Sequence, residues 1–247
     1  MPPTATRPLT PHAFRDDMVK QLEFDLPDFQ KAYKKQKVRM LAVISLGILG
    51  FSLGLLTFFP ATMVVFFFIL YLLYLFVFGK ARKRRRRVQK DSDLRRVLIK
   101  ATLQVADLPF EFLTHRYLPA FVFRESELFA FKADTYEADE LVEVQAAGKL
   151  SFSHIRALEH VDAFERNSRD KKQFEGWLFR IFPPRNANPT EVSLPAGYLT
   201  RITPDQVWMA VPQDGALYRQ KLLQVEPDYD ACYALYTAIH EAAAMTN

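Results

Sequence analysis

The segment from Met40 to Phe78 contains no charged residue, and Pro60 interrupts it near its middle. As one straight helix it would extend about 58 Å, at about 1.5 Å per residue, against a bilayer core of about 30 Å. A split at Pro60 gives two segments, 40–59 and 61–78, each near the roughly 20 apolar residues that a membrane span needs. The sequence therefore predicts a two-helix transmembrane hairpin.

Basic residues flank this segment on both sides, at Lys31–Arg39 and at Lys80–Lys90. Positively charged flanks remain in the cytoplasm, so we expect both termini there. The second cluster holds the residues that set this topology or contact lipid headgroups: Lys80, Arg82, Lys83, Arg84, Arg85, Arg86 and Arg87.

The net charge of +5 is unevenly distributed along the chain. The two basic clusters account for the positive excess, whereas the segment from Asp91 to Asn247 is acidic. A phosphate backbone would repel an acidic domain. The sequence therefore argues against nucleic acid as a partner and predicts membrane lipid, together with a protein partner or self-association.

Three glycines, Gly47, Gly50 and Gly54, fall in the first predicted span. Small residues let helix backbones approach closely, so this face serves either packing within one hairpin or self-association between hairpins. The predicted spans contain no ionisable group, and transport pathways normally need such groups. We therefore do not expect a transporter.

The N-terminal segment has the spacing of an amphipathic helix. Thr10 suits a helix cap and Pro11 the first helical position, and Phe14, Met18 and Leu22 recur on one face. Pro27 is expected to interrupt the helix. Because the segment is acidic, we expect its apolar face to pack on protein rather than on anionic lipid.

After the second basic cluster, Asp91–Val105 has helical spacing, and short β-like runs follow. At the end of the chain, Asp228 suits a cap for a helix with a single apolar stripe. The predicted fold class is α+β, a transmembrane hairpin with a cytosolic, mainly antiparallel sheet domain and flanking helices. The predicted strands are Ala120–Phe123, Glu140–Gln145, Lys149–His154, Phe174–Phe182, Glu191–Leu194, Val207–Val211 and Leu217–Gln224, and the stripe comprises Cys232, Leu235, Tyr236, Ile239 and Ala243.

These patterns divide the chain into four parts. Residues 1–37 are predicted to be an amphipathic N-terminal helical segment, 38–79 the hairpin, 80–106 a basic collar with a helical stalk, and 107–247 the α+β domain.

Three segments, Phe123–Phe129, Asp134–Val142 and Gly148–Ser153, resemble the signature of a bacterial membrane-protein family catalogued as domain of unknown function 3137. Phe174-Glu175-Gly176 is similar to that family's F-x-G strand. The resemblance implies a cytosolic start, two adjacent transmembrane helices and a soluble domain, hence a multi-pass protein of the bacterial inner membrane. It implies no catalytic residues. This chain is shorter between Phe182 and Val207 than members of the family usually are.

Candidate chemistry is sparse. The only cysteine, Cys232, lies on the apolar helical stripe, and the five histidines share no metal-binding spacing. No phosphate-binding loop or nucleophile elbow is present. We therefore expect no cofactor, no metal and no enzymatic activity. One acidic face remains, either solvated surface or a site for a basic partner or divalent cation: Glu137, Asp139, Glu140 and Glu143.

Two functions fit these features. The first is a membrane-anchored, non-enzymatic interaction or scaffold protein that presents the acidic domain at the inner membrane. The alternative is an oligomerising membrane effector or stress-responsive protein that perturbs the bilayer or forms a pore. A hydrolase or transferase would need a polar pocket that a sequence does not reveal.

Overall fold

A computed structural model describes residues 8–56, 80–113, 116–130, 133, 135–139, 141–146, 148–159, 171–183, 197–213, 217–220 and 224–246. Its helices are α1 (Pro11–Leu56), α2 (Lys80–Val105), α3 (Ala120–Glu125) and α4 (Tyr229–Ala244). Its strands are β1 (Phe110–Leu113), β2 (Thr135–Ala138), β3 (Leu141–Gln145), β4 (Lys149–Glu159), β5 (Lys171–Phe182), β6 (Leu199–Ile202), β7 (Val207–Pro212), β8 (Tyr218–Gln220) and β9 (Val225–Pro227).

The chain divides into two compact units. The first comprises Met1–Gln21, Ile99–Leu217 and Asp228–Asn247, and the second comprises Leu22–Leu98 and Tyr218–Pro227. The first unit holds the large sheet with α3 and α4. The second holds most of α1 and α2 together with the β8–β9 ribbon, on which Gln30 donates a hydrogen bond to the carbonyl of Val225 at 3.2 Å.

The sheet of the first unit is antiparallel in the described residues, with the strand order β1-β3-β4-β5-β7-β6 and with β2 also paired to β4. Its centre is formed by β4 and β5, which pair from Lys149↔Phe182 to Glu159↔Lys171. Alternate residues of a strand point to opposite faces. The central strands are apolar on both faces, so each face needs a covering layer.

The segment around α3 covers one face. Leu118, Val122 and Phe123 form a buried cluster with sheet residues that include Leu178 and Trp208. Phe129 packs on this cluster, with its ring centroid 4.9 Å from that of Phe123. The helix ends after Glu125: Ser126 caps it, and Glu127 follows with φ +44°, in the left-handed region where helices commonly end.

The second face carries Phe152, Trp177 and Phe179, and the ring of Phe152 contacts each of the other two. Helix α4 contacts β5. The predicted cap of α4 is confirmed, since Asp228 Oδ1 accepts a hydrogen bond from the Ala231 N–H at 3.4 Å. All five residues of its predicted apolar stripe are buried.

The first turns of α1 pack on protein, as the sequence predicted, and the element that they contact is α4. Phe14 is fully buried, with its ring centroid 4.8 Å from that of Tyr236. The backbone of Leu9 donates to the Tyr236 hydroxyl and accepts from the Tyr233 hydroxyl, each at 3.0 Å. The start of α1 is thereby fixed to α4.

The predicted transmembrane hairpin is wrong for the part of the chain that the structure describes, where no helix is long and apolar enough to cross a membrane. Charged residues occur along the described helix α1 from Arg15 to Arg39, and such residues are unfavourable inside a bilayer core. The same finding overturns the predicted multi-pass inner-membrane localisation. The second predicted span, 61–78, and the predicted turn at 59–62 lie outside the described residues.

Two local predictions are also wrong. Pro27 does not interrupt α1, which continues through this residue from Pro11 to Leu56. The fixed φ of proline, about −65°, is itself compatible with a helix. Ala120–Phe123 was predicted to be a strand and forms α3, because a short apolar run fits either structure and packing on the sheet decides between them. The predicted strand Glu191–Leu194 lies outside the described residues.

The other predicted strands are found, with changed boundaries. The runs that begin at Glu140, Lys149, Phe174 and Val207 correspond to β3, β4, β5 and β7. The predicted strand Leu217–Gln224 corresponds to β8, which ends at Gln220 in the described residues. The α+β class with an antiparallel sheet is therefore observed, without the membrane hairpin.

Candidate functional site

A polar row crosses the face of the sheet that α3 covers in part. Glu143 of β3 pairs with Ser151 of β4, Ser151 with Arg180 of β5, and Arg180 with Trp208 of β7. Directly paired residues point to the same face. Since Trp208 belongs to the cluster beneath α3, the whole row lies on the α3 side of the sheet.

The segment before and within α3 has one buried and one exposed side. Val122 and Phe123 point into the cluster, whereas Tyr117 and Phe121 are 59% and 60% exposed. Two large aromatic side chains thus lie exposed beside the polar row. Aromatic rings are enriched at the centres of protein interfaces, where their burial stabilises a complex.

Between α3 and the polar row is an open cavity of about 520 Å³, which we call the groove. It is lined mainly by apolar groups and includes residues from both walls, among them Tyr117, Phe121, Lys149, Ser151, Arg180 and Phe182. Ligand sites typically measure about 300–1,000 Å³ and combine an apolar lining with a few polar groups. The groove has the size and composition of a binding site.

Arg180 is one of three charged residues in the described groove lining, with Glu143 and Lys149. Its guanidinium carbon lies 4.6 Å from the ring centroid of Phe182 and 5.4 Å from that of Trp208, and its Nε donates to Gln206 Oε1 at 2.6 Å. Burial lowers the pKa of Arg180, and the nearby charge of Glu125 opposes this shift. A guanidinium is thus held against aromatic rings in a partly desolvated position.

Lys149 and Glu143, which also line the groove, form an ion pair. Lys149 Nζ is 2.9 Å from Glu143 Oε1, and the lysine side chain is half exposed. Exposed ion pairs contribute little to stability, in the range of about 0–1 kcal/mol. The pair therefore matters more as a charged feature of the groove wall than as a stabilising contact.

The predicted acidic face is not a single cluster. Glu143 pairs with Lys149 in the groove, Asp139 Oδ2 lies 3.5 Å from His154 Nδ1, and Glu137 is exposed opposite Arg156. Glu140 lies outside the described residues. Within the described residues, no group of three or more His, Cys, Asp or Glu side chains is placed to hold a metal ion.

The glycines and basic residues predicted as sites lie in the second unit. Gly47, Gly50 and Gly54 are in the last turns of described α1, beside four exposed apolar residues, Ile44, Leu46, Ile48 and Leu49. The basic run is in the first turns of α2: Lys80, Arg82, Lys83, Arg84, Arg85, Arg86 and Arg87. Their predicted roles in helix packing and lipid contact stay predictions.

The groove was not predicted from the sequence, although one signal was available. Arg180 interrupts the apolar segment Trp177–Phe182, in which the neighbouring residues Leu178, Phe179 and Ile181 are all fully buried. A lone charge in such a strand needs a particular reason. Its proximity to Tyr117 and Phe121 follows from the sheet topology and has no local signal.

Comparisons with protein-family models, with curated proteins and with solved structures found no match to this chain. The resemblance to domain of unknown function 3137 therefore stays a prediction.

Proposed function

We propose that this chain is a non-enzymatic interaction or scaffold protein whose groove binds a segment of a partner protein. The observation that carries the proposal is the exposure of Tyr117 and Phe121 beside the partly desolvated Arg180. Aromatic and arginine side chains are the residue types that most often dominate binding energy at interfaces. Their burial by a partner would remove a large apolar area from water.

The composition of the groove supports binding rather than catalysis. Its described lining contains neither histidine nor cysteine, and its one carboxylate, Glu143, is engaged by Lys149. General acid–base chemistry usually needs a titratable group with a pKa tuned toward neutral pH. Elsewhere in the described chain, the buried Cys232 has a pKa raised by desolvation, which makes it a poor nucleophile.

A pull-down with the full-length chain tests the proposal. Protein partners captured from native cell extract by the wild type should be lost with the double variant Tyr117→Ser/Phe121→Ser, because the substitutions remove the exposed aromatic anchors. Leu199→Ser is the matched control, since Leu199 is 45% exposed on the edge strand β6 and is not part of the groove lining.

Thermal unfolding of all three proteins checks that each is folded. Equal recovery of partners by the double variant and the wild type would contradict the proposal. Sedimentation of the wild type alone would show whether the captured partner is a second copy of this chain.

A further inference from the structure

We propose that the partner segment carries a carboxylate next to an apolar side chain, and that Arg180 binds this carboxylate in the groove. The inference rests on the proposed function and names the chemistry of the ligand. It also separates a residue that recognises the ligand, Arg180, from the aromatic residues that supply apolar contact.

The first reason is that Arg180 is incompletely compensated. Among the described residues, no carboxylate lies within ion-pair distance of its guanidinium, and Glu125 affects it only through a longer-range charge interaction. Removing a charge from water is unfavourable unless an opposite charge or hydrogen bonds replace the lost hydration. An anionic ligand group would supply that missing compensation.

The second reason is that the guanidinium is already positioned. Gln206 accepts from Nε, and the rings of Phe182 and Trp208 restrict the planar group from the side. The Nη groups supply the remaining donors of the arginine. A fixed planar fork is suited to a bidentate carboxylate and loses little conformational entropy on binding.

The third reason concerns the rest of the ligand. Tyr117, Phe121 and Phe182 make the walls near Arg180 aromatic, so the group next to the carboxylate should be apolar. The Ser151 hydroxyl and the Glu143–Lys149 pair line the same cavity. An acyl chain has no hydrogen-bonding groups to offer these polar side chains, whereas a peptide backbone has donors and acceptors to match them. The observations thus favour a peptide over a fatty acid.

Selection of peptides from a random phage-displayed library against the full-length chain tests the inference. The bound peptides should be enriched in Asp or Glu within two positions of an aromatic or aliphatic residue. For a selected peptide, Arg180→Gln should weaken binding by about 10- to 150-fold, because a hydrogen bond to a charged group is worth about 1.5–3 kcal/mol. Arg180→Lys, which keeps the charge without the fork, should recover only part of the affinity.

Arg156→Gln is the matched control, since Arg156 is exposed on β4 outside the groove lining. A second test changes the peptide instead of the protein. Replacing the Asp of the peptide by Asn should weaken its binding to the wild type by a factor similar to that expected for Arg180→Gln. The same replacement should have almost no further effect on binding to Arg180→Gln, because both changes remove one interaction.

The outcomes separate the inference from the proposed function. Peptides that bind the groove with no acidic preference, or with equal affinity for wild type and Arg180→Gln, would overturn the carboxylate inference and leave the interaction function standing. If no peptide is selected, or if oleate binds the groove and peptides do not, both are overturned.

Discussion

The ring centroid of Phe14 lies 4.8 Å from that of Tyr236, and this contact joins the first turn of α1 to α4 within the first unit. Phe14 also makes an edge contact with Tyr233 at 5.4 Å and is fully buried. Phe14→Ala should therefore lower the free energy of unfolding by about 3–5 kcal/mol, the usual loss for a buried phenylalanine. Urea denaturation measures the change.

Val19→Ala is the control for Phe14→Ala, because Val19 is on the same helix and 48% exposed. It should change the free energy of unfolding by no more than about 0.5 kcal/mol. Equal effects of the two substitutions would show that the start of α1 is not docked on α4.

Gly176 is required by a close backbone approach between β5 and β7. A Cβ atom at this position would lie 2.2 Å from the carbonyl oxygen of Val211 and 3.0 Å from the backbone nitrogen of Gln213. Neither backbone atom can move without disturbing the strand pairing. Gly176→Ala should therefore lower the free energy of unfolding by about 1–3 kcal/mol, the usual cost of overpacking, or by more.

Gly197→Ala is the comparison for Gly176→Ala. A Cβ at Gly197 meets nothing within 4 Å, but the residue has φ +95°. Its substitution should cost about 1–2 kcal/mol from backbone strain alone. Thermal unfolding of both variants distinguishes the two mechanisms, and a smaller loss at Gly176 than at Gly197 would contradict the close approach.

The elements that the sequence predicted correctly carry their own local signals. Helix α4 has a cap at Asp228 and an apolar stripe, and the central strands β4 and β5 are long enough for their pattern to be clear. By contrast, β2 and β6 are short, half-exposed strands that exist because β4 and β7 offer backbone partners. No property of their residues alone indicates that pairing.

The groove could be predicted only in part for the same reason. The charge of Arg180 within the apolar segment Trp177–Phe182 is visible in the sequence, and it indicates an unusual environment. Tyr117 and Phe121 belong to this environment because the segment around α3 packs on the sheet. The sequence predicts a strand for part of that segment, so it does not indicate this packing. Packing between residues distant in sequence, and not local propensity, brings the α3 segment and the polar row of the sheet together to form the groove.

His240 should make the fold sensitive to mild acid. Its Nε2 is buried without a hydrogen-bond partner among the described residues, its ring centroid is 4.5 Å from that of Tyr236, and burial lowers its pKa. The unfolded chain then binds this proton more tightly than the folded chain. The stability contributed by the neutral ring is present above the unfolded pKa of about 6.5 and is lost as pH falls through the lowered folded pKa.

The variant His240→Leu should therefore lose less stability than the wild type between about pH 7 and pH 5. His12→Gln, an exposed position on α1, should follow the wild-type profile. An NMR titration of the His240 ring gives the direct measurement, and a folded-state pKa at or above about 6.5 would contradict the expected burial.

Cys232 should be unreactive until the fold opens. Its thiol is buried on α4 and lies 3.6 Å from the carbonyl oxygen of Leu217, and burial raises its pKa. Only the thiolate attacks a disulfide reagent, so native protein should react slowly with Ellman's reagent, and the rate should rise as urea populates open states.

Phe121→Cys supplies the control, because that side chain is 60% exposed in the wild type and a thiol there should react within the mixing time. The double-thiol protein is thus expected to show one fast and one slow phase, and two fast phases without denaturant would mean that α4 does not bury Cys232.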